Sequence, residues 1–130
     1  MTWAEKRFPM NQQIMIDTCE ALAREQNALL APIGSIWRTV REMYPEIELY
    51  YEDGEHASPY GDFLIASVLC KLLTEALPLD MSRTGLDFLQ GVPFDLDMPV
   101  VIEDKDAVTV QLNRDWTDRI LDMVRAGMQG

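Results

Sequence analysis

Two signals a few residues apart fix the backbone path of this sequence more firmly than any others. Asp53-Gly54 supplies turn chemistry at the end of the extended run Ile47-Glu48-Leu49-Tyr50-Tyr51, and Ser58-Pro59 starts a helix, with serine as N-cap and proline at the first helical position. The chain between them must turn sharply and enter a helix within a handful of residues. That short connection carries His56, the one histidine of the sequence, three positions after Asp53. A carboxylate and an imidazole so placed point to a catalytic dyad. In open α/β sheets, reacting groups collect on such loops, outside the carboxyl ends of the strands.

The rest of the chain reads as an alternation of elements around that connection. From Phe8 to Asn27, Met15, Thr18, Cys19, Leu22 and Ala23 recur at three- and four-residue spacing and form one helical face. Ala28-Leu29-Leu30-Ala31 reads as a short buried strand, broken by Pro32-Ile33-Gly34. Ser35 then caps a second helix, with Ile36, Trp37, Val40 and Tyr44 on one side and Pro45 as its stop. Ile47–Tyr51 is the next strand. The helix from Pro59 to about Ala76 is apolar around most of its circumference, as expected of a helix packed on a sheet and covered again. Pro78, Gly85, Gly91, Pro93 and Pro99 make residues 77–99 mostly loop, with a helical turn near Leu86–Leu89. A last helix runs from about Glu103 to Arg125, stacking Val108, Leu112, Trp116, Ile120 and Met123, with Gly127 stopping it. Two strands separated by a helix, with helices before and after, predict right-handed crossovers and a parallel α/β sheet in a single domain spanning residues 1–130.

Charge narrows the partners. The chain has 22 acidic and 11 basic residues and a net charge of -11, so nucleic acid and anionic lipid, which require a positive field, are not expected partners. The longest apolar run, Phe63 to Leu73, is half a membrane span and is interrupted by Ser67 and Lys71, so it reads as a core helix. Basic residues near the N-terminus are not followed by an apolar stretch, which does not fit a secretory signal. Cys19 and Cys70 lie in apolar helical stretches without metal-ligand spacing and are expected to be buried thiols.

Asp53-Gly54-Glu55-His56-Ala57-Ser58-Pro59-Tyr60-Gly61-Asp62-Phe63-Leu64-Ile65-Ala66 resembles the D-x-x-H block of the SGNH (GDSL-type) hydrolases, in the subgroup that reads DG-x-H-P-S-x-x-G-x-Y-L-x-A. Ala31-Pro32-Ile33-Gly34-Ser35-Ile36-Trp37, followed by Tyr44-Pro45, is similar to the A-P-V-G-x-x-W segment ahead of that block, and the Ala107 to Trp116 stretch is similar to its closing helix. The resemblance implies a three-layer α/β/α fold with a parallel sheet, flavodoxin-like in layout. It also implies a Ser-His-Asp triad that hydrolyses small-molecule or carbohydrate esters without metal or cofactor. On this sequence His56 would be the general base and Asp53 the carboxylate that orients it and stabilises the imidazolium. Asp53 raises the His56 pKa while the positive end of the Pro59 helix lowers it, and sequence does not fix which prevails.

The family's Gly-Asp-Ser-like nucleophile block and its oxyanion-hole Gly and Asn blocks do not occur here, and alanine replaces the proline of its H-P-S at Ala57. The expectation is therefore the C-terminal portion of such a hydrolase, inactive alone and self-associating through an exposed sheet edge. Ser35 lies in no G-x-S-x-G elbow and reads as a helix cap. Two other readings remain: a noncatalytic binding module derived from a degenerate hydrolase, and a metal enzyme centred on Glu52, Asp53, Glu55 and His56. The metal reading is weakened because alternation along a strand points successive carboxylates apart, and no metal ligands are assigned. Trp37 and Trp116, on apolar helical faces, read as core rather than as sugar platforms.

Overall fold

A computed structural model describes residues 3–75, 77 and 112–129. Among them the chain forms four helices, α1 (Asn11–Glu25), α2 (Ile33–Met43), α3 (Pro59–Thr74) and α4 (Arg114–Gly127). Helix α2 touches the other three, and α4 also packs on α3. The predicted loop at 78–99 and the first turns of the predicted last helix lie outside the described residues.

Each helix end has a local cause. Helix α1 closes in a Schellman motif: Asn27 takes a left-handed φ of 49°, the Ala28 N–H donates to Ala23 O at 2.9 Å and the Asn27 N–H donates to Arg24 O at 3.3 Å. Ala28 is thereby used to end a helix, and Leu29 stands 76% exposed. Ala28–Ala31 is a connector, which corrects the expectation of a buried strand there. Helix α2 begins at Ile33 directly after Pro32, so Ser35 is inside the helix and is not its cap; its carbonyl accepts from Thr39 Oγ1 at 3.0 Å. Ser58 does cap α3 as expected. Its Oγ accepts from the Gly61 N–H at 3.2 Å and donates to Glu48 O at 2.6 Å, with Pro59 in the first turn. Asn113 caps α4 by accepting from the Trp116 N–H at 3.2 Å.

The parallel α/β sheet is overturned: the described residues contain no strand, and the fold they form is a small all-helical one. The run Ile47–Tyr51 shows why its pattern was misleading. Ile47, Leu49 and Tyr50 are buried while Glu48 and Tyr51 are exposed, close to the alternation expected of a half-buried strand. Its hydrogen bonds, however, go to its own return. The Tyr51 N–H donates to His56 O and the Ser58 N–H to Leu49 O, both at 2.8 Å, around a single antiparallel bridge between Tyr50 and Ala57. The run is one arm of a tight reversal whose side chains complete a helical core. The three-layer architecture and the sheet edge expected to drive self-association therefore have no counterpart among the described residues.

That core contains Ile36, Trp37 and Val40 from α2, Leu64 and Val68 from α3, and Ile120, Leu121 and Val124 from α4, closed by Ile47, Leu49, Tyr50 and Leu77. Trp37 is fully buried, as the apolar pattern of α2 predicts. Trp3 stacks on it at 4.7 Å between centroids and Tyr50 meets it edge-on at 5.2 Å. Trp116 is half-buried and packs edge-on with Tyr60. Cys19 and Cys70 are half-buried and form no disulfide among the described residues, which corrects the expectation of full burial. Among the described residues no helix is long and apolar enough to cross a membrane.

Candidate functional site

The loop between the Tyr51 arm and α3 is held by three short-range devices. The Gly54 N–H donates to Tyr51 O at 3.0 Å, and Gly54 adopts a φ of 72°, which a side chain would disfavour. Asp53 Oδ1 accepts from the Glu55 N–H at 2.9 Å and the His56 N–H at 3.0 Å, so the carboxylate bridges the turn with its own backbone. The Ser58 cap then starts α3 immediately after.

With one oxygen fixed this way, Asp53 Oδ2 lies 2.5 Å from His56 Nδ1. The structure therefore joins the two residues singled out from sequence. The imidazole side chain is 78% exposed, and Nε2 makes no hydrogen bond among the described residues. Asp53 receives the Nδ1 proton, which leaves Nε2 as the ring nitrogen open to an incoming group.

The electrostatics agree in direction. Backbone N–H donation from Glu55, then the bond to His56, hold the Asp53 carboxyl down to about 2. Asp53 raises His56 above its ordinary 6.5 through that hydrogen bond and its charge. Of the two opposing influences read from the sequence, the carboxylate prevails. The charged pair therefore favours the folded loop in a window bounded on both sides. The Asp53 contribution is present above its ordinary 3.8 and fades as pH falls through about 2. The His56 contribution is present below 6.5 and fades as pH rises through its elevated value. In a proton NMR titration, His56 is expected to titrate above 6.5 in the folded chain and to fall back toward 6.5 in Asp53→Asn; an unchanged midpoint in that variant would show that the pair is not formed in solution.

Sequence reasoning missed the strap that ties this loop down. The N-terminal segment crosses it, with the Lys6 N–H donating to Gly54 O and Trp3 Nε1 donating to Glu55 O, each at 2.9 Å. Lys6 Nζ also pairs with Glu48 at 2.5 Å, and Tyr50 OH donates to Ala4 O at 2.5 Å. These contacts span more than forty residues and have no local signature in the sequence. Beside the strap an open groove of about 380 Å³ is lined by Glu5, Lys6, Arg7, Glu52, Asp53 and Glu55, among others.

No described serine bonds to His56. Ser58 Oγ is committed to Glu48 O and Gly61 N, Ser67 Oγ donates to Phe63 O at 2.7 Å, and Ser35 sits within α2. Ser82 lies outside the described residues. Asp53, Glu55 and His56 place one potential metal-ligating atom each within 4.8 Å of one another, all exposed. Both Asp53 oxygens and the His56 Nδ1 are already engaged, so a cation there would compete with the bonds that shape the loop. No family model, curated protein or solved structure matches the chain.

Proposed function

We propose that Asp53 and His56 are the orienting carboxylate and general base of a Ser-His-Asp ester hydrolase, acting on a small-molecule or carbohydrate ester. The serine and the oxyanion donors would come from outside these 130 residues. The observation that carries this reading is the 2.5 Å Asp53–His56 contact, with the carboxylate fixed by two backbone N–H groups and the far edge of the imidazole exposed. The motif resemblance at residues 53–66 supports it, and the geometry it needs is local to the loop, independent of any sheet.

In this role His56 Nε2 takes the serine proton as the hydroxyl attacks the ester carbonyl, then returns it to the leaving alcohol. Asp53 holds the tautomer with the proton on Nδ1 and stabilises the imidazolium as it forms. The base must be neutral to act. Because Asp53 raises its pKa, hydrolysis is expected to climb with pH through a value above 6.5.

Fluorophosphonate labelling tests the reading. The 130-residue chain is expected to hydrolyse p-nitrophenyl acetate at close to the uncatalysed rate and to remain unlabelled, because a base and its orienter without nucleophile and oxyanion hole lose most of the rate enhancement. The product of the complete open reading frame is expected to label once, on a serine outside residues 1–130, and to turn over. Stoichiometric labelling of Ser35 or Ser58 would overturn the placement of the nucleophile. An open-reading-frame product that takes up an ester with neither labelling nor turnover would assign the loop to binding alone.

A further inference from the structure

Two consecutive peptide groups of the His56 loop are gripped at both ends. The peptide between Gly54 and Glu55 donates its N–H to Asp53 Oδ1 at 2.9 Å and accepts at its carbonyl from the Lys6 N–H at 2.9 Å. The peptide between Glu55 and His56 donates its N–H to the same Oδ1 at 3.0 Å and accepts at its carbonyl from Trp3 Nε1 at 2.9 Å. A peptide group is planar, so fixing its carbonyl also fixes the direction of its N–H. Each bond from the N-terminal strap therefore aims one of the two N–H groups that seat the Asp53 carboxylate. A peptide polarised at its oxygen is also a stronger donor at its nitrogen.

The two strap bonds differ in what stands behind them. Lys6 contributes a backbone N–H, which any residue but proline supplies. Trp3 contributes the one donor of its side chain, on a ring that lies flat on Trp37 at 4.7 Å between centroids and 10° between planes. Trp37 is fully buried, so the indole is a stiff link from the core to the peptide that carries His56. Ala4 keeps the strap seated by contacts outside the loop, its N–H donating to Gln12 Oε1 at 2.9 Å and its carbonyl accepting from Tyr50 OH at 2.5 Å. The imidazole itself is 78% exposed, so its aim depends on its backbone and on Asp53. The geometry assigns Trp3 as a positioning residue: its indole N–H holds the Glu55–His56 peptide and thereby sets the approach of His56 Nδ1 to Asp53 Oδ2. As a statement about catalysis this rests on the role proposed for Asp53 and His56, and as a statement about the pair it stands on the strap.

Trp3→Phe keeps an aromatic ring to lie on Trp37 and removes the N–H. In a proton NMR titration of the 130-residue chain, the His56 midpoint is expected to fall toward 6.5 in this variant. A loosened peptide lets Nδ1 leave Asp53, whose hydrogen bond and charge, with a smaller contribution from Glu55, raise the imidazole. Val124→Ala, which opens the core in α4 away from the hydrogen bonds of the strap, is expected to leave the midpoint in place. On the unmodified chain the Trp3 indole N–H resonance is expected to move with the His56 midpoint as pH is varied, a readout that holds should Trp3→Phe fail to fold. In the product of the complete open reading frame, Trp3→Phe is expected to lower kcat by roughly tenfold to a hundredfold with KM little changed, the effect of a misplaced reacting group. An unchanged His56 midpoint in folded Trp3→Phe, an indole resonance that ignores that midpoint, or an equal fall in Val124→Ala would overturn the assignment. Near-parental turnover by His56→Ala would instead overturn the catalytic reading, with the titrations of the 130-residue chain still deciding the role of Trp3.

Discussion

Gly61→Ala is expected to destabilise the chain by about 2 kcal/mol, lowering Tm by roughly 10 °C, although an exposed helical alanine would ordinarily add up to about 1 kcal/mol over glycine. Gly61 is the third residue of α3 and is buried. A Cβ there would run into the Leu49 carbonyl oxygen and would lie 2.7 Å from Trp37 Cη2 and 2.9 Å from Ala57 Cβ. None of the three can yield cheaply. Leu49 O is held by the Ser58 N–H at 2.8 Å, Trp37 is wedged between Trp3 and Tyr50, and Ala57 forms the return of the reversal. The helix start would have to lift away, and with it the cap bond from Gly61 to Ser58. The overpacking cost therefore exceeds the propensity gain. Thermal and urea unfolding would check this, and a variant as stable as the parent would show that α3 does not approach the Leu49 arm this closely.

The same glycine marks how much of the molecule was legible in the sequence. The ordering Asp53-Gly54, His56, Ser58-Pro59 was readable because every step of it is local: an acidic turn residue bonding its own backbone, a glycine, a capping serine and a proline at the helix start. Helices α1 to α3 were readable from periodicity within a few residues at either end, and burial of Trp37 followed from its place on the apolar side of α2. That the described residues form no sheet was not readable. Alternation over Ile47–Tyr51 reports only that every second side chain is buried. It is silent on whether the backbone pairs with a neighbouring strand or, as here, folds back on itself against helices. Ala28–Ala31 is ambiguous because a short apolar run carries no period, and the left-handed Asn27 uses Ala28 to end α1. The Trp3–Lys6 strap depends on tertiary contacts that no window of sequence contains.

If Asp53 and His56 act as proposed, His56→Ala is expected to lower kcat by roughly a millionfold and Asp53→Asn by roughly ten-thousandfold, with KM little changed in either. The ordering follows from the loop. On the proposed role, removing the imidazole removes the group that would accept the serine proton. Asp53→Asn keeps a side chain of the same shape, but an amide stabilises the imidazolium far less and can present its N–H to Nδ1, holding the wrong tautomer. The asparagine Oδ1 can still accept the two backbone N–H groups of the turn, so this variant keeps the loop's own bonds while changing the group that faces His56. His56 is largely exposed and makes no core contact, which keeps the alanine variant folded and makes its loss of rate a statement about chemistry. A rising pH profile governed by a pKa above 6.5 should accompany the parent activity and move toward lower pH in Asp53→Asn. Near-parental turnover by His56→Ala would remove His56 from the reaction, whatever its distance from Asp53.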